Sequence, residues 1–307
     1  MFDRSAPEIS DLVVDYDPHT LERRHVSKSK LIETLRGHGR RAALRVVESI
    51  PARDDVLDAL AVDGMLVRSH LELQRLHEEF RVGETVRSFV APMIALARAR
   101  TRERPIRIVD VGCGLGFITR WLASRGELGD DLEFVGVDYN RAFVRAATAL
   151  ARAEDLPCRF EAANAFELSV PGHVYLSTGV IHHFRGEDLA RFFAQHARAG
   201  ALGFVHVDIR PGILAPIGSY IFHHARMREP LARWDGFWSA VRAHDARTLA
   251  AASQQGAPGF ELAVVDAHPG PYAVVRIFQA IVGASPALAG QLPAALAPLG
   301  KRVERVR

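Results

Sequence analysis

The residues best equipped for chemistry stand in the stretch IRIVDVGCGLGF (106–117): Asp110, then Gly112, Gly114 and Gly116 at alternate positions. Glycines behind a strand permit a tight turn and let a ligand lie against the backbone, and the helix that follows offers free N–H groups. The spacing is not the dinucleotide fingerprint, because its third glycine position, counted from Gly112, is Phe117. An acid ahead of the turn suits a cationic or amine-bearing ligand better than a pyrophosphate, which it would repel. Asp138 follows 22 residues after Gly116, where a carboxylate can accept both hydroxyls of a ribose. In a purely structural reading the same acids would cap the helices behind them. Two histidines, His182 and His183, stand in VIHHF. Neighbours on an extended chain point opposite ways, so the pair is not expected to hold a metal jointly, and no metal is expected. Either could act as a general base, His182 before His183.

These residues need a frame, and the pattern around them supplies one. IRIVDVG, LEFVGVD, PCRFEAANA, HVYLSTGVIHHF and LGFVHVDIR read as strands, with helical segments such as FITRWLASRG, NRAFVRAATALARAEDL and GEDLARFFAQHARAG between them. Such alternation predicts a parallel sheet with helices on both faces. Ahead of it, residues 1–100 read as helices, one of them capped by Ser27 or Ser29 and another bent or broken near Pro92. Residues 211–257 read as a helical insertion after the fifth strand. FELAVVDA and YAVVRIFQAIV follow as two more strands, joined by the turn HPGP. The expected division is a helical region over 1–100, a sheet domain over 101–283 and a loosely packed, Ala- and Pro-rich tail over 284–307.

Composition narrows the classes. A chain of 307 residues with 48% hydrophobic and 24% charged residues has enough for a full core. Its net charge of +3 and lack of a dense Lys/Arg block give no case for nucleic acid. Two cysteines, Cys113 and Cys158, form neither a metal pattern nor a disulfide framework. No secretory leader is visible and no apolar run is long enough to span a bilayer, so a cytoplasmic protein without membrane contact is expected.

With IVDVGCGLGF, FVGVDYN, FEAANAFEL, HVYLSTGVIHHF and FVHVDIR in this order, the chain resembles a class I S-adenosylmethionine (SAM)-dependent methyltransferase of the small-molecule type. The resemblance covers about residues 104–210 and implies a Rossmann-like, seven-stranded, mostly parallel sheet with an antiparallel last pair. It implies SAM as cofactor and S-adenosylhomocysteine (SAH) as product. Asp110 would approach the methionine amino group, and the Gly112–Gly116 turn would lie under the methionyl and ribose. Asp138 would hold the ribose hydroxyls, with Tyr139 beside the adenine. Asn164 stands where the family usually has an aspartate that accepts from the adenine amine, and Phe166 would pack on that ring. Ser177, Thr178 and Gly179 end the fourth strand, where the bound methyl group would face its acceptor.

For the acceptor, the candidates are Asp208 and Arg210 at the fifth strand's end and Trp234 and Trp238, one helical turn apart in the insertion. In related enzymes, helices at such positions form a lid. The expected reaction is methylation of a small molecule, oxygen favoured over nitrogen or carbon, in secondary metabolism. A non-catalytic SAM-binding subunit is the second reading. A nucleic-acid methyltransferase is the third, disfavoured because the fourth strand ends LSTGVIHH rather than in an Asn/Asp-Pro-Pro motif. The N-terminal helices could pair two subunits as a homodimer as easily as cap a pocket.

Overall fold

The computed structural model describes residues 7–267, 277–299 and 303–304. The chain forms two compact units, one from residues 1–76 and 211–242 and the other from 77–210 and 243–307. The turn HPGP and the first half of YAVVRIFQAIV fall outside the described residues.

The second unit is built on an eight-stranded sheet. In chain order its strands are β3 (Ile106–Val111), β4 (Leu132–Asp138), β5 (Cys158–Ala162), β6 (Val174–Thr178), β7 (Gly203–Ile209), β8 (Glu261–Ala267), β9 (Phe278–Ala284) and β10 (Val303–Glu304). Their spatial order is β10-β8-β9-β7-β6-β3-β4-β5. The strands from β3 to β7 pair in parallel, whereas β9 runs antiparallel to both β7 and β8. This is the expected Rossmann-like sheet, with the two-residue β10 as an added edge strand.

Covered on both faces, β3 and β7 are almost wholly buried, which explains why they read as near-continuous apolar runs. One face packs against α5 (Val82–Arg100) through Val86, Val90 and Met93. The other meets α8 (Gly186–Arg198) through Leu189, Phe192 and Phe193, and α11 (Ala246–Gly256) through Leu249. The strand order reverses between β3 and β6, and ligands of open α/β sheets bind outside the strands' carboxyl ends at such a point.

Three local expectations need correcting. α5 runs unbroken through Pro92. The tail does not pack loosely over its described part: Leu288, Leu292 and Leu296, four residues apart, are buried in the core that α5 also lines. Leu288 closes a 3₁₀ turn, Pro286–Leu288, while Leu292 and Leu296 share one face of the short helix Leu292–Leu296. Residues 52–57 also hold a two-stranded ribbon, β1 (Ala52–Arg53) with β2 (Val56–Leu57), turned by Asp54 and Asp55 at positive φ.

The first unit contains α1 (Ile9–Leu12), α2 (Lys28–Gly37), α3 (Arg41–Ser49), most of α4 (Ala59–Glu79), α9 (Ala215–Arg226) and α10 (Pro230–Arg242). Ser27 caps α2, accepting from the Lys30 N–H. Asp235 on α10 holds α1 by accepting from Ile9 N at 2.8 Å and Ser10 N at 2.9 Å. These are the orphan N–H groups of a helix start, which need an acceptor when buried. Burial and the nearby Glu8 carboxylate push the Asp235 carboxyl up to about 7. Arg242 pairs with Asp11 at 2.5 Å, and Arg40 lies over the Trp238 ring at 4.3 Å.

Candidate active site

Four of the expected residues end neighbouring parallel strands: Asp110 on β3, Asp138 on β4, Thr178 on β6 and Asp208 on β7. Register makes them converge. Asp110 stands opposite Gly136 and Leu176, so β3 lies directly between the strands that carry Asp138 and Thr178.

The turn after β3 uses its glycines for two reasons. Gly112, Gly114 and Gly116 all take positive φ, which side chains rarely adopt. There is also no room: a Cβ on Gly116 would stand 2.2 Å from the Phe160 ring, and one on Gly112 2.7 Å from Val180. Gly116 then starts α6 (Phe117–Ala123). The turn is tied to β4 through Gly112 N and Cys113 N, which both donate to Val137 O.

Asp138 is buried and accepts from Gly114 N at 2.9 Å and Asn140 N at 2.8 Å. Burial nevertheless pushes its carboxyl up to about 6, against those two N–H donors and His183. Asp110, also buried, accepts from the Thr119 hydroxyl at 2.8 Å. Burial, helped by the Asp138 charge, raises it to about 7. Thr119 lies on α6, and nothing in its sequence spacing marked it as a partner. Two buried carboxyls held above their usual range, beside a glycine turn whose amides are already bonded, are a site that gains from a cation and a diol.

The adenine-side candidates are arranged less openly. Tyr139 is exposed next to Asp138. The Asn164 side-chain oxygen already accepts from Phe166 N at 2.9 Å. Phe166 packs edge-on against Phe184 at 4.9 Å and lies under the Arg191 guanidinium at 5.0 Å. Thr178 Oγ1 is buried without a hydrogen-bond partner, a polar atom that a bound ligand could satisfy.

His182 and His183 are not on an extended chain. β6 stops at Thr178, Gly179 turns at φ +68°, and Ile181–His183 form a 3₁₀ turn. Their rings therefore lie side by side, 4.3 Å between centroids, rather than on opposite sides. Asp208 grips the turn: its Oδ1 lies 2.7 Å from His182 Nδ1, and its Oδ2 accepts from His182 N at 3.0 Å. Burial works to raise the Asp208 carboxyl, but His182 and the N–H groups of Ile209 and His182 outweigh it, so it stays below the ordinary range. An ionised carboxylate only accepts, so a hydrogen sits on His182 Nδ1, and in the neutral imidazole the lone pair is then on Nε2.

From the far end of the chain, His244 Nε2 meets Phe184 O at 2.9 Å and Ile181 O at 3.2 Å and steadies the same turn. Burial and Arg185 lower the His244 pKa. Arg210 pairs with Asp266 at 2.8 Å. Trp234 and Trp238 belong to the first unit, where Trp234 meets Tyr220 and His224 and Trp238 meets Phe237 and Arg40.

Comparison with known proteins bears on the fold. Residues 108–201 match the family model described as a methyltransferase domain. The plantazolicin methyltransferase BamL, solved with a triazolic desmethylPZN analog and SAH, shares the fold at a TM-score of 0.50. It is 11% identical, over 73% of this chain and 96% of that one. Magnesium protoporphyrin IX methyltransferase (ChlM) from Synechocystis PCC 6803 is 12% identical over 84% of this chain and 99% of that one, at 0.44. A SAM-dependent methyltransferase from Aquifex aeolicus is 11% identical over 61% and 85%, at 0.43. No curated protein matches. Residues 108–201 thus match a methyltransferase domain, and the likeness to the solved structures is one of fold.

Proposed function

We propose that the protein transfers a methyl group from SAM to a small-molecule acceptor, at oxygen by preference, in secondary metabolism. The observation that carries the reading is the pair of buried carboxyls, Asp110 and Asp138, flanking a positive-φ glycine turn at the sheet's switch point. SAM, when bound, supplies a methyl group on a sulfonium. Asp110 would receive the methionyl ammonium, whose positive charge relieves a carboxyl raised by burial. Asp138 would take the ribose hydroxyls. Tyr139, Asn164 and Phe166 would border the adenine, with the Thr178 hydroxyl near the reacting end.

His182 would remove the acceptor's proton at Nε2, and Asp208 would keep that nitrogen's lone pair available and favour the imidazolium as it forms. The alternative of a non-catalytic SAM-binding subunit gives no use to an imidazole oriented by a buried carboxylate. Calorimetric titration with SAH tests the cofactor assignment. The wild-type chain should bind, and Asp138→Ala should weaken binding by at least about tenfold, the loss of roughly one charged hydrogen bond. No binding, or binding untouched by the substitution, would sink the reading.

A further inference from the structure

The turn Ile181–His183 is held from two sides. Asp208 on β7 takes the His182 ring and its backbone N–H. Opposite it stands the buried His244, placed just ahead of α11, whose N-cap is Asp245. Both ring nitrogens of His244 have partners whose roles are fixed. Nε2 lies 2.9 Å from Phe184 O and 3.2 Å from Ile181 O. A carbonyl only accepts, so the hydrogen is on Nε2. Nδ1 lies 3.3 Å from Arg185 Nη1. A guanidinium only donates, so Nδ1 keeps its lone pair.

His244 is therefore a neutral imidazole in one tautomer, spanning the chain from Ile181 to Arg185. A second proton, on Nδ1, would meet Arg185 donor to donor. The charged groups facing the ring are Arg185, which opposes that proton, and Asp208 on β7, which favours it. Burial and Arg185 prevail and hold the ring below the ordinary imidazole range.

The clamp is itself anchored to the sheet. His244 O accepts from Gln279 Nε2 at 2.5 Å, and the same amide lies 3.4 Å from Ile209 O. Gln279, also buried, stands on β9 directly opposite Asp208 on β7. Both grips on the turn thus rise from one register pair. Asp208 reaches His182 directly, and Gln279 reaches Ile181 and Phe184 through His244. A satisfied network of buried hydrogen bonds rigidifies what it encloses.

We propose, on the reading of His182 as the base, that His244 is a positioning residue for methyl transfer. By holding the carbonyls on either side of His182 it fixes that ring, so that Nδ1 stays on Asp208 and Nε2 is presented in one direction. A general base must lie within hydrogen-bond reach of the proton it removes, and a turn free to unwind would spread Nε2 over several positions.

The test is nitrogen-15 NMR of the full chain labelled at histidine and bound to SAH. His244 should carry hydrogen on Nε2 alone, and His182 should give one set of resonances with hydrogen on Nδ1. His244→Phe keeps a ring and removes the donor, and His182 should then lose its single set and populate both tautomers. His244→Gln, whose amide still donates, should restore the single set. Gln279→Leu cuts the same support while leaving both imidazoles in place, and should split or broaden the set; it alone decides if His244→Phe does not fold. SAH affinity should be unchanged throughout. A His182 spectrum unmoved by His244→Phe and Gln279→Leu, or a His244 hydrogen on Nδ1, would overturn the proposal and leave the base reading standing. Loss of SAH affinity in these variants would overturn it too, as a general rather than a local disruption. A wild-type His182 with its hydrogen on Nε2 would sink the base reading and the positioning role together.

Discussion

A carboxylate that accepts from one imidazole nitrogen decides what the other can do, and this makes Asp208 the most informative side chain after the cofactor acids. Asp208→Asn keeps the shape but offers an amide that can donate to Nδ1, reversing the tautomer of His182. Turnover should fall by roughly 10²–10⁴-fold, the usual worth of a general base, while SAH affinity stays unchanged. The nitrogen-15 shifts of the His182 ring give a readout that needs no acceptor: hydrogen on Nδ1 in the wild type, moved to Nε2 in the variant. A wild-type ring with its hydrogen on Nε2 would remove the case for base catalysis here. Both residues were legible in the sequence as separate candidates, but their partnership was not. They are 26 residues apart, and only the β6–β7 register, Thr178 opposite Val207, brings them together. The partnerships of Thr119 and His244 were no more legible: nothing about a hydroxyl on a helix announces a carboxyl nine residues back, nor a histidine in an insertion the carbonyls of a turn.

At the level of elements the sequence was most readable where one physical rule dominates. β3, β4 and β7 were apolar runs because both sheet faces are covered, and the glycines after β3 were visible as a turn. The turn at Ile181–His183 was misread, since one positive-φ glycine, Gly179, converts an extended run into a tight one. Other glycines carry testable consequences of their own. Gly256 ends α11 where it crosses α8, and a Cβ there would stand 2.0 Å from the backbone oxygen of Ala190. Gly218 sits within α9 with nothing within 4 Å. Gly256→Ala should therefore destabilise by about 1–3 kcal/mol, the cost of overpacking. Gly218→Ala should stabilise by up to about 1 kcal/mol through helix propensity alone. Thermal unfolding of the two variants side by side checks both; a stabilised Gly256→Ala would mean that α8 and α11 do not cross so closely.

For the molecule as a whole, the raised carboxyls link pH to ligand. Asp110 and Asp138 titrate near 7 and 6 in the bare protein, above the ordinary carboxyl value of 3.8. The folded chain thus keeps protons that the unfolded chain releases, and these two acids contribute stability at low pH that is lost as pH rises through that window. A ligand carrying an ammonium and a diol wants both ionised. The rise in unfolding midpoint on adding SAH should accordingly shrink as pH is lowered from about 8 to about 5. The buried His196, held down to about 4, acts oppositely, since the unfolded chain gains a proton below about 6.5 that the fold refuses. That contribution is common to free and SAH-bound protein and cancels in the difference. A ligand-induced shift independent of pH would place the protonation elsewhere.

The hold of Asp235 on the start of α1 reaches across 226 residues of chain. On a ribosome adding about 5–20 residues per second, the amides of Ile9 and Ser10 wait roughly 10–45 seconds for the carboxylate that satisfies them. The N-terminal helices thus emerge first and are completed late, after β7 has been made. During that interval Ile9 and Val13, fully buried in the finished protein, lack the helix that α1 packs beside.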